Sequence, residues 1–144
     1  AKENETGIAI ADNDKIKSAV KKAKEKADLA IVSFHFGEEY QKWPNLRQEE
    51  LAQLAIDSGA DLVVGHHPHV VQSLKNYKGK YIAYSLGNFV FDQEFSQETM
   101  KGGLLKVEID ALSKNITSAK LYQICLNNYF QPDFCEEQLI SNND

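Results

Sequence analysis

Long apolar runs and cysteine are scarce in this chain of 144 residues, and acidic residues outnumber basic ones. No apolar run approaches the roughly 20 residues that a membrane-spanning helix needs. The net charge of −5 argues against a general nucleic-acid-binding protein, because such proteins usually carry a basic face. No phosphate-binding loop, G-x-G-x-x-G or G-x-S-x-G motif occurs, so nothing indicates a nucleotide site or a serine nucleophile. The length predicts one globular domain.

The two cysteines, Cys125 and Cys135, lie near the C-terminus. Neither belongs to a C-x-x-C pair and no histidine follows them, so they do not predict a zinc site. Two incidental thiols are the favoured interpretation. A disulfide that closes a short loop is the alternative.

The first half of the chain has the pattern of a strand, a helix and a second strand. The apolar runs 29–34 and 62–64 are typical of parallel strands buried on both faces. Between them, Asn45 is a candidate N-cap, and Gln48 three residues later completes a capping-box pattern. These segments predict a βαβ unit with two parallel strands.

The remaining segments extend this pattern at both ends. A short strand at 7–11 and a helix from Asp12 or Asp14 to about Ala27 are expected before the βαβ unit. The second half contains three further strand-like segments, at 80–85, 103–109 and 116–124. The last two predict an antiparallel hairpin, and the residues after Asn127 lack periodicity. The sequence therefore predicts an α/β fold, a βαβ unit followed by antiparallel strands, over residues 1–126, with an irregular tail over 127–144.

All four histidines of the chain directly follow the two apolar runs of the βαβ unit. His35 follows the first run, and the other three lie in the segment Gly65-His66-His67-Pro68-His69 after the second. Ligands bind beyond the carboxyl ends of the strands in open α/β sheets. We therefore expect all four imidazoles at one edge of the sheet.

The histidine segment has the form of a metal-binding pair. Pro68 favours an extended conformation at His67, and residues two apart on an extended chain project to the same side. His67 and His69 are therefore expected to point together, with His66 directed away and His35 completing a three-histidine set. Imidazole nitrogens suit zinc, iron and manganese, which makes a divalent ion the expected cofactor.

Three polar residues near these segments are further candidates for a role in catalysis. Glu38 and Glu39 follow His35 closely and are each a candidate ligand, supporting residue or general base, although an exposed loop carboxylate explains either one equally well. Asn88 lies in the stretch 84–92, where Gly87 interrupts a strand pattern. Its amide is either directed at the histidine site or satisfies a local turn.

Three segments together resemble the bacterial capsule synthesis CapA family, the PgsA-like group linked to poly-γ-glutamate capsule. They are His35-Phe36-Gly37-x-Glu39-Tyr40, Gly59 to His69, and Tyr84 to Phe91. The resemblance extends from about Asp14 to Asp110, with Phe36 where the family usually has tryptophan. It implies the fold of calcineurin-like metallophosphoesterases, a β-sandwich flanked by helices.

The same resemblance implies roles for individual residues. His35, His67 and His69 match metal-site histidines, His66 is an alternative to one of the pair, and Glu39 and Asn88 match family positions near the site. The Asp-x-His and Asn-His motifs that precede these in such folds do not occur before His35. The chain is therefore expected to be the C-terminal half of a family domain, inactive alone and with an exposed edge that favours self-association.

The resemblance leaves two functions open. One is metal-dependent hydrolysis of a phosphoester-type bond within a protein that makes or exports capsule. The other is a non-catalytic scaffold or binding module of a membrane-associated capsule machinery, with a vestigial or structural metal site. Both imply an anionic capsule polymer or its precursor and other capsule-synthesis proteins as partners. Both also imply no nucleic acid, and a location on the outer face of a bacterial membrane, reached through a part outside this chain.

Overall fold

The computed structural model describes residues 6–139. It contains two helices and seven strands in the described range, in the order α1 (Asn13–Lys24), β1 (Ile31–His35), α2 (Leu46–Asp57), β2 (Leu62–His66), β3 (Leu74–Tyr77), β4 (Lys80–Ala83), β5 (Lys101–Ile109), β6 (Ile116–Leu126) and β7 (Pro132–Leu139). The predicted α/β class is confirmed. Neither described helix is long and apolar enough to cross a membrane.

The first sheet contains the βαβ unit and has the strand order β1-β2-β4-β3. The strands β1 and β2 pair in parallel, as predicted, with Ile31 opposite Leu62 and His35 opposite His66. The strand β4 is also parallel to β2, whereas β3 runs antiparallel to β4. Three parallel strands therefore end at the same edge of this sheet.

The two helices begin where their capping residues predict. The Asp12 side chain accepts hydrogen bonds from the N–H groups of Asp14 and Lys15, and α1 ends at Lys24, three residues before the predicted end. Asn45 and Gln48 form the predicted capping box of α2. No strand forms at residues 7–11, where the side chains of Ile8 and Ile10 are exposed. An apolar pattern without a buried face does not hold a strand.

The second sheet is antiparallel, with the order β5-β6-β7. The predicted hairpin of β5 and β6 is confirmed. The irregular tail expected over 127–144 is wrong at 132–139, where β7 pairs with β6, and residues 140–144 lie outside the described residues. A disulfide joins Cys125 of β6 to Cys135 of β7, which was the less favoured interpretation of the two cysteines. This bond ties a strand without clear periodicity to its neighbour.

The two sheets and the helices form three layers. One core cluster packs side chains of both helices against the first sheet, including Val20, Leu51, Val63 and Ile82. A second cluster packs Leu74 and Ala83 of the first sheet against Ala119 and Leu121 of β6. The adjacent residues Ile82 and Ala83 thus face opposite layers, as alternation along a strand requires. The histidines His35 and His66 lie at the carboxyl ends of β1 and β2, at one edge of the first sheet.

Candidate metal centre

The histidines leave the sheet at the carboxyl ends of β1 and β2. His35 and His66 are the last residues of these two strands and lie opposite each other in register. The glycine before His66 allows β4 to lie close to β2, since a Cβ on Gly65 would come within 1.9 Å of the carbonyl oxygen of Tyr84. This close packing fixes the position of the end of β2, where the segment 66–69 leaves the sheet.

The backbone of the histidine pair is not extended. His67 has φ of 106° and His69 has φ of 59°, so the extended conformation predicted from Pro68 is wrong. Apart from glycines, the described residues with positive φ are Tyr40, His67, His69, Lys78, Lys114 and Phe130. The last three lie in connections between antiparallel strands, where such conformations are ordinary. The other three surround the candidate site, where strained backbone is maintained by the surrounding structure.

Two histidines and one carboxylate converge at this point. One ligand atom from each of Glu39, His67 and His69 lies within 4.8 Å of the others. Zinc ligands at roughly 2.0–2.2 Å from the ion are themselves about 3–3.5 Å apart. Glu39 is exposed, so its side chain has room to adjust towards the two imidazoles. Two imidazoles and a carboxylate fit zinc, iron or manganese.

The other two histidines lie beside this set. The His35 ring lies 4.8 Å from the His67 ring, measured between centroids, but His35 is not among the three converging ligands. The prediction that it completes a three-histidine set therefore stays a prediction, and Glu39 takes the third place in the geometry. His66 is half-buried. Burial, and then the nearby His35, lower its pKa below the ordinary value, which favours the neutral imidazole.

Asn88 is buried against His69 and determines which of its nitrogens is free. The Asn88 Nδ2 atom donates hydrogen bonds to the Thr99 carbonyl oxygen at 3.0 Å and to Gln93 Oε1 at 3.2 Å. Its Oδ1 atom therefore faces His69 Nδ1, at 2.8 Å. An amide oxygen only accepts, so Nδ1 carries the proton. The His69 Nε2 atom is then left as the nitrogen that can bind a metal.

The Asn88 side chain has features of both alternatives that the sequence left open, since its Oδ1 atom contacts His69 and its Nδ2 atom donates to a backbone carbonyl. Its role in catalysis stays a prediction. We expect Asn88→Ala to weaken the binding of Zn²⁺ about 10- to 100-fold, the usual cost of losing a group that orients a metal-binding histidine. Isothermal titration of the purified chain measures this. Gln93→Ala is the control, because Asn88 keeps its bond to Thr99 in that variant and the affinity should change little. Equal losses in the two variants would contradict the orienting role.

Sequence reasoning missed the groups that hold Asn88 and surround His69. Thr99 is fully buried, and its hydroxyl donates a hydrogen bond to the Gln93 carbonyl oxygen. Phe91 lies 5.1 Å from the His69 ring, and Tyr40 lies 6.1 Å from it, between centroids. A run of polar and aromatic residues at 88–99 carries no periodicity. These residues reach His69 only because the segment 88–99 folds back against the end of β2.

The sequence is similar to one described family and to several curated proteins. Residues 1–93 match the family described as bacterial capsule synthesis protein PGA_cap. The chain is 46% identical over 97 residues to the PGA biosynthesis protein CapA of Bacillus subtilis (strain 168), an alignment that covers 67% of this chain and 26% of that protein. The capsule biosynthesis protein CapA of Bacillus anthracis is 46% identical over 101 residues, covering 67% of this chain and 25% of that protein.

A more distant relative is a probable polyglutamine synthesis accessory protein of Mycobacterium tuberculosis (strain CDC 1551 / Oshkosh). It is 35% identical over 81 residues, which cover 56% of this chain and 21% of that protein. The chain thus spans about a quarter or less of the length of the curated relatives that it matches.

Proposed function

Because this chain belongs to the bacterial capsule synthesis protein PGA_cap family, we propose that it is part of a CapA-like protein. In this proposal the protein acts in the synthesis or export of a poly-γ-glutamate capsule. Two of its relatives carry names for PGA or capsule biosynthesis. The proposed partners are the anionic polymer or its precursor and other capsule-synthesis proteins.

The proposed reaction is metal-dependent hydrolysis of a phosphoester-type bond at the candidate centre. The observation that carries it is the convergence of Glu39, His67 and His69 within 4.8 Å. These three residues would hold a divalent ion, either Zn²⁺, Fe²⁺ or Mn²⁺. Such an ion supplies Lewis-acid chemistry, which polarises a phosphoryl oxygen and lowers the pKa of water towards 7.

The neighbouring residues have distinct roles in this proposal. Asn88 keeps the proton of His69 on Nδ1 and so presents Nε2 to the ion. His35 is exposed and its ring lies next to that of His67, where an imidazole can take up or release a proton of the reacting groups. Glu39 serves as a ligand through its carboxylate, which neutralises part of the charge of the ion.

We further propose that the protein works on the outer face of the bacterial membrane. The disulfide between Cys125 and Cys135 supports this location, because structural disulfides persist in oxidising compartments and are rare in the cytosol. Attachment to the membrane would come through a part of the protein outside this chain.

Ion binding and hydrolysis are tested separately. The purified chain is titrated with Zn²⁺, Mn²⁺ and Fe²⁺ by calorimetry, and we expect one ion for each chain. Hydrolysis of a nitrophenyl phosphodiester is then measured with this chain and with the full-length Bacillus subtilis relative, before and after treatment with a chelator. We expect turnover by the relative that the chelator abolishes and that added ion restores.

The possible outcomes separate the two functions that the sequence left open. A chain that binds no ion contradicts the metal centre. Ion binding without turnover in the full-length relative contradicts hydrolysis and favours the scaffold role, with a structural metal site.

A further inference from the structure

Glu39 reaches the two histidines from a loop without regular structure. Residues 36–45 connect β1 to α2 and contain only a turn and bends. Glu39 is exposed, and the described hydrogen bonds and ion pairs do not include its carboxylate. Its place beside His67 and His69 therefore depends on whatever fixes the backbone of this loop.

A buried pair of glutamines holds the loop from beneath. Gln72 Nε2 donates hydrogen bonds to the carbonyl oxygens of Gln41, at 2.8 Å, and Trp43, at 3.1 Å. Gln72 Oε1 accepts a hydrogen bond from Gln48 Nε2 at 2.9 Å. Gln48 Oε1 in turn accepts from the N–H of Asn45 at 3.1 Å. Both hydrogens of the Gln72 side-chain amide are thus used, and both bind carbonyl oxygens of the loop that carries Glu39.

The two glutamines are among the most buried polar residues of the protein, with Gln48 1% and Gln72 2% exposed. Burying an amide without hydrogen-bond partners costs free energy, and water does not reach these two side chains to replace the partners. Both amides are therefore expected to keep the hydrogen bonds described. The beginning of the loop also lies directly on Gln48. A Cβ on Gly37, which has φ of 98°, would come within 2.5 Å of the Gln48 side chain. The loop therefore has little freedom to move on this support.

Gln72 also connects the loop to the histidine segment. It follows His69 by three residues, and its own N–H donates to the Ser85 carbonyl oxygen at 3.0 Å, which fixes it to the extension of β4. On the other side of the loop, the N–H of Tyr40 donates to the Pro68 carbonyl oxygen at 2.7 Å. The residue after Glu39 is thus bound directly to the residue between the two histidines.

We propose that Gln72, supported by Gln48, is the positioning residue that brings Glu39 to the metal centre. It does not contact the ion in this proposal. It fixes the loop at Gln41 and Trp43 so that Tyr40 meets Pro68 and the Glu39 carboxylate meets His67 and His69. The inference rests on the proposed metal site for its effect on ion binding, but its effect on the loop is independent of any ion.

The test uses Gln72→Met, which keeps the length of the side chain and removes its hydrogen bonds. We expect the affinity of the chain for Zn²⁺, measured by calorimetry, to fall about 10-fold. In a Glu39→Ala background the same substitution should change the affinity less than about 2-fold, because Gln72 acts through Glu39. An equal loss in both backgrounds would overturn the proposal.

Hydrogen exchange gives a readout that needs no ion. We expect the protection of the Tyr40 amide to fall in Gln72→Met, because the loop no longer holds it against Pro68. The control is Asp61→Asn, which destabilises the fold from the opposite end of β2. Because a loop amide exchanges through local opening, the Tyr40 protection and the affinity should change far less in Asp61→Asn than in Gln72→Met. Unchanged Tyr40 protection in Gln72→Met, or equal loss in both variants, would refute the positioning role.

A second variant keeps the test decisive if Gln72→Met does not fold. Gln48→Met removes the support of Gln72 and leaves its two bonds to the loop, so it should lower the Tyr40 protection and the affinity in the same direction by a smaller amount. No change in either quantity would contradict the proposal. If the wild-type chain binds no ion, the proposed function fails, and the exchange experiment alone decides the role of Gln72.

Discussion

His67→Ala is expected to lower the affinity of the chain for Zn²⁺ by at least about 100-fold. Loss of a residue that only orients a ligand costs about 10- to 100-fold, so the loss of a ligand itself should reach or exceed the upper value. His67 lies between the other groups of the site, since it converges with Glu39 and His69 and its ring is 4.8 Å from that of His35. Calorimetric titration with Zn²⁺, on a variant whose circular dichroism matches the wild type, measures the effect.

The adjacent histidine provides the matched comparison. His66 is the last residue of β2 and is not among the converging ligands, so His66→Ala should lower the affinity far less than His67→Ala. The family resemblance alone left His66 as an alternative member of the pair. A larger loss in His66→Ala than in His67→Ala would assign the ligand to His66 and reverse our assignment.

Asp61→Asn is expected to destabilise the protein by about 3 kcal/mol, the lower end of the range for breaking a buried ion pair. The Asp61 side chain is 7% exposed and lies 2.8 Å from Lys80 Nζ and 2.9 Å from Lys24 Nζ. It also accepts a hydrogen bond from the N–H of Ala30 at 2.9 Å. Both lysines are about a third exposed and can turn to water in the variant, which limits the loss. Urea unfolding of the two proteins gives the difference.

The contribution of Asp61 should also depend on pH. Burial by itself raises the pKa of Asp61, but hydrogen bonds from Lys80, Ala30 and Lys24 outweigh it and hold the pKa below its ordinary value. A carboxyl group whose pKa is lowered on folding stabilises the protein above its unfolded pKa of about 3.9. The difference between wild type and Asp61→Asn should therefore be full at neutral pH and shrink as the pH falls through the folded pKa.

An exposed ion pair on the same protein serves as the control for this experiment. Asp57 Oδ1 lies 2.6 Å from Lys78 Nζ, but both side chains are largely exposed. Such pairs contribute little because water screens them, so Asp57→Asn should leave the unfolding midpoint nearly unchanged. Equal changes in the free energy of unfolding in Asp57→Asn and Asp61→Asn would contradict the stabilising role that we assign to burial of the Asp61 ion pairs.

The fold was predictable where local sequence and burial agree. The apolar runs at 29–34 and 62–64 and the capping residues of α2 predicted a parallel βαβ unit, and the structure has one. These signals are local, since a capping box involves residues three apart. The strands β3 and β7 were missed because their sequences lack clear alternation. They are held by pairing with neighbours and, in β7, by the disulfide to Cys125.

The sequence by itself determined which residues are available to the site. It placed every histidine after the two parallel strands, and this fixes the edge of the sheet where they meet, because parallel strands end together. Only the tertiary structure decided that Glu39 joins His67 and His69, and that Asn88 leaves Nε2 of His69 free. Those choices depend on contacts between residues far apart in the chain, such as Gln72 with Gln41, 31 residues away. No local pattern encodes the geometry of a loop that is held from outside itself.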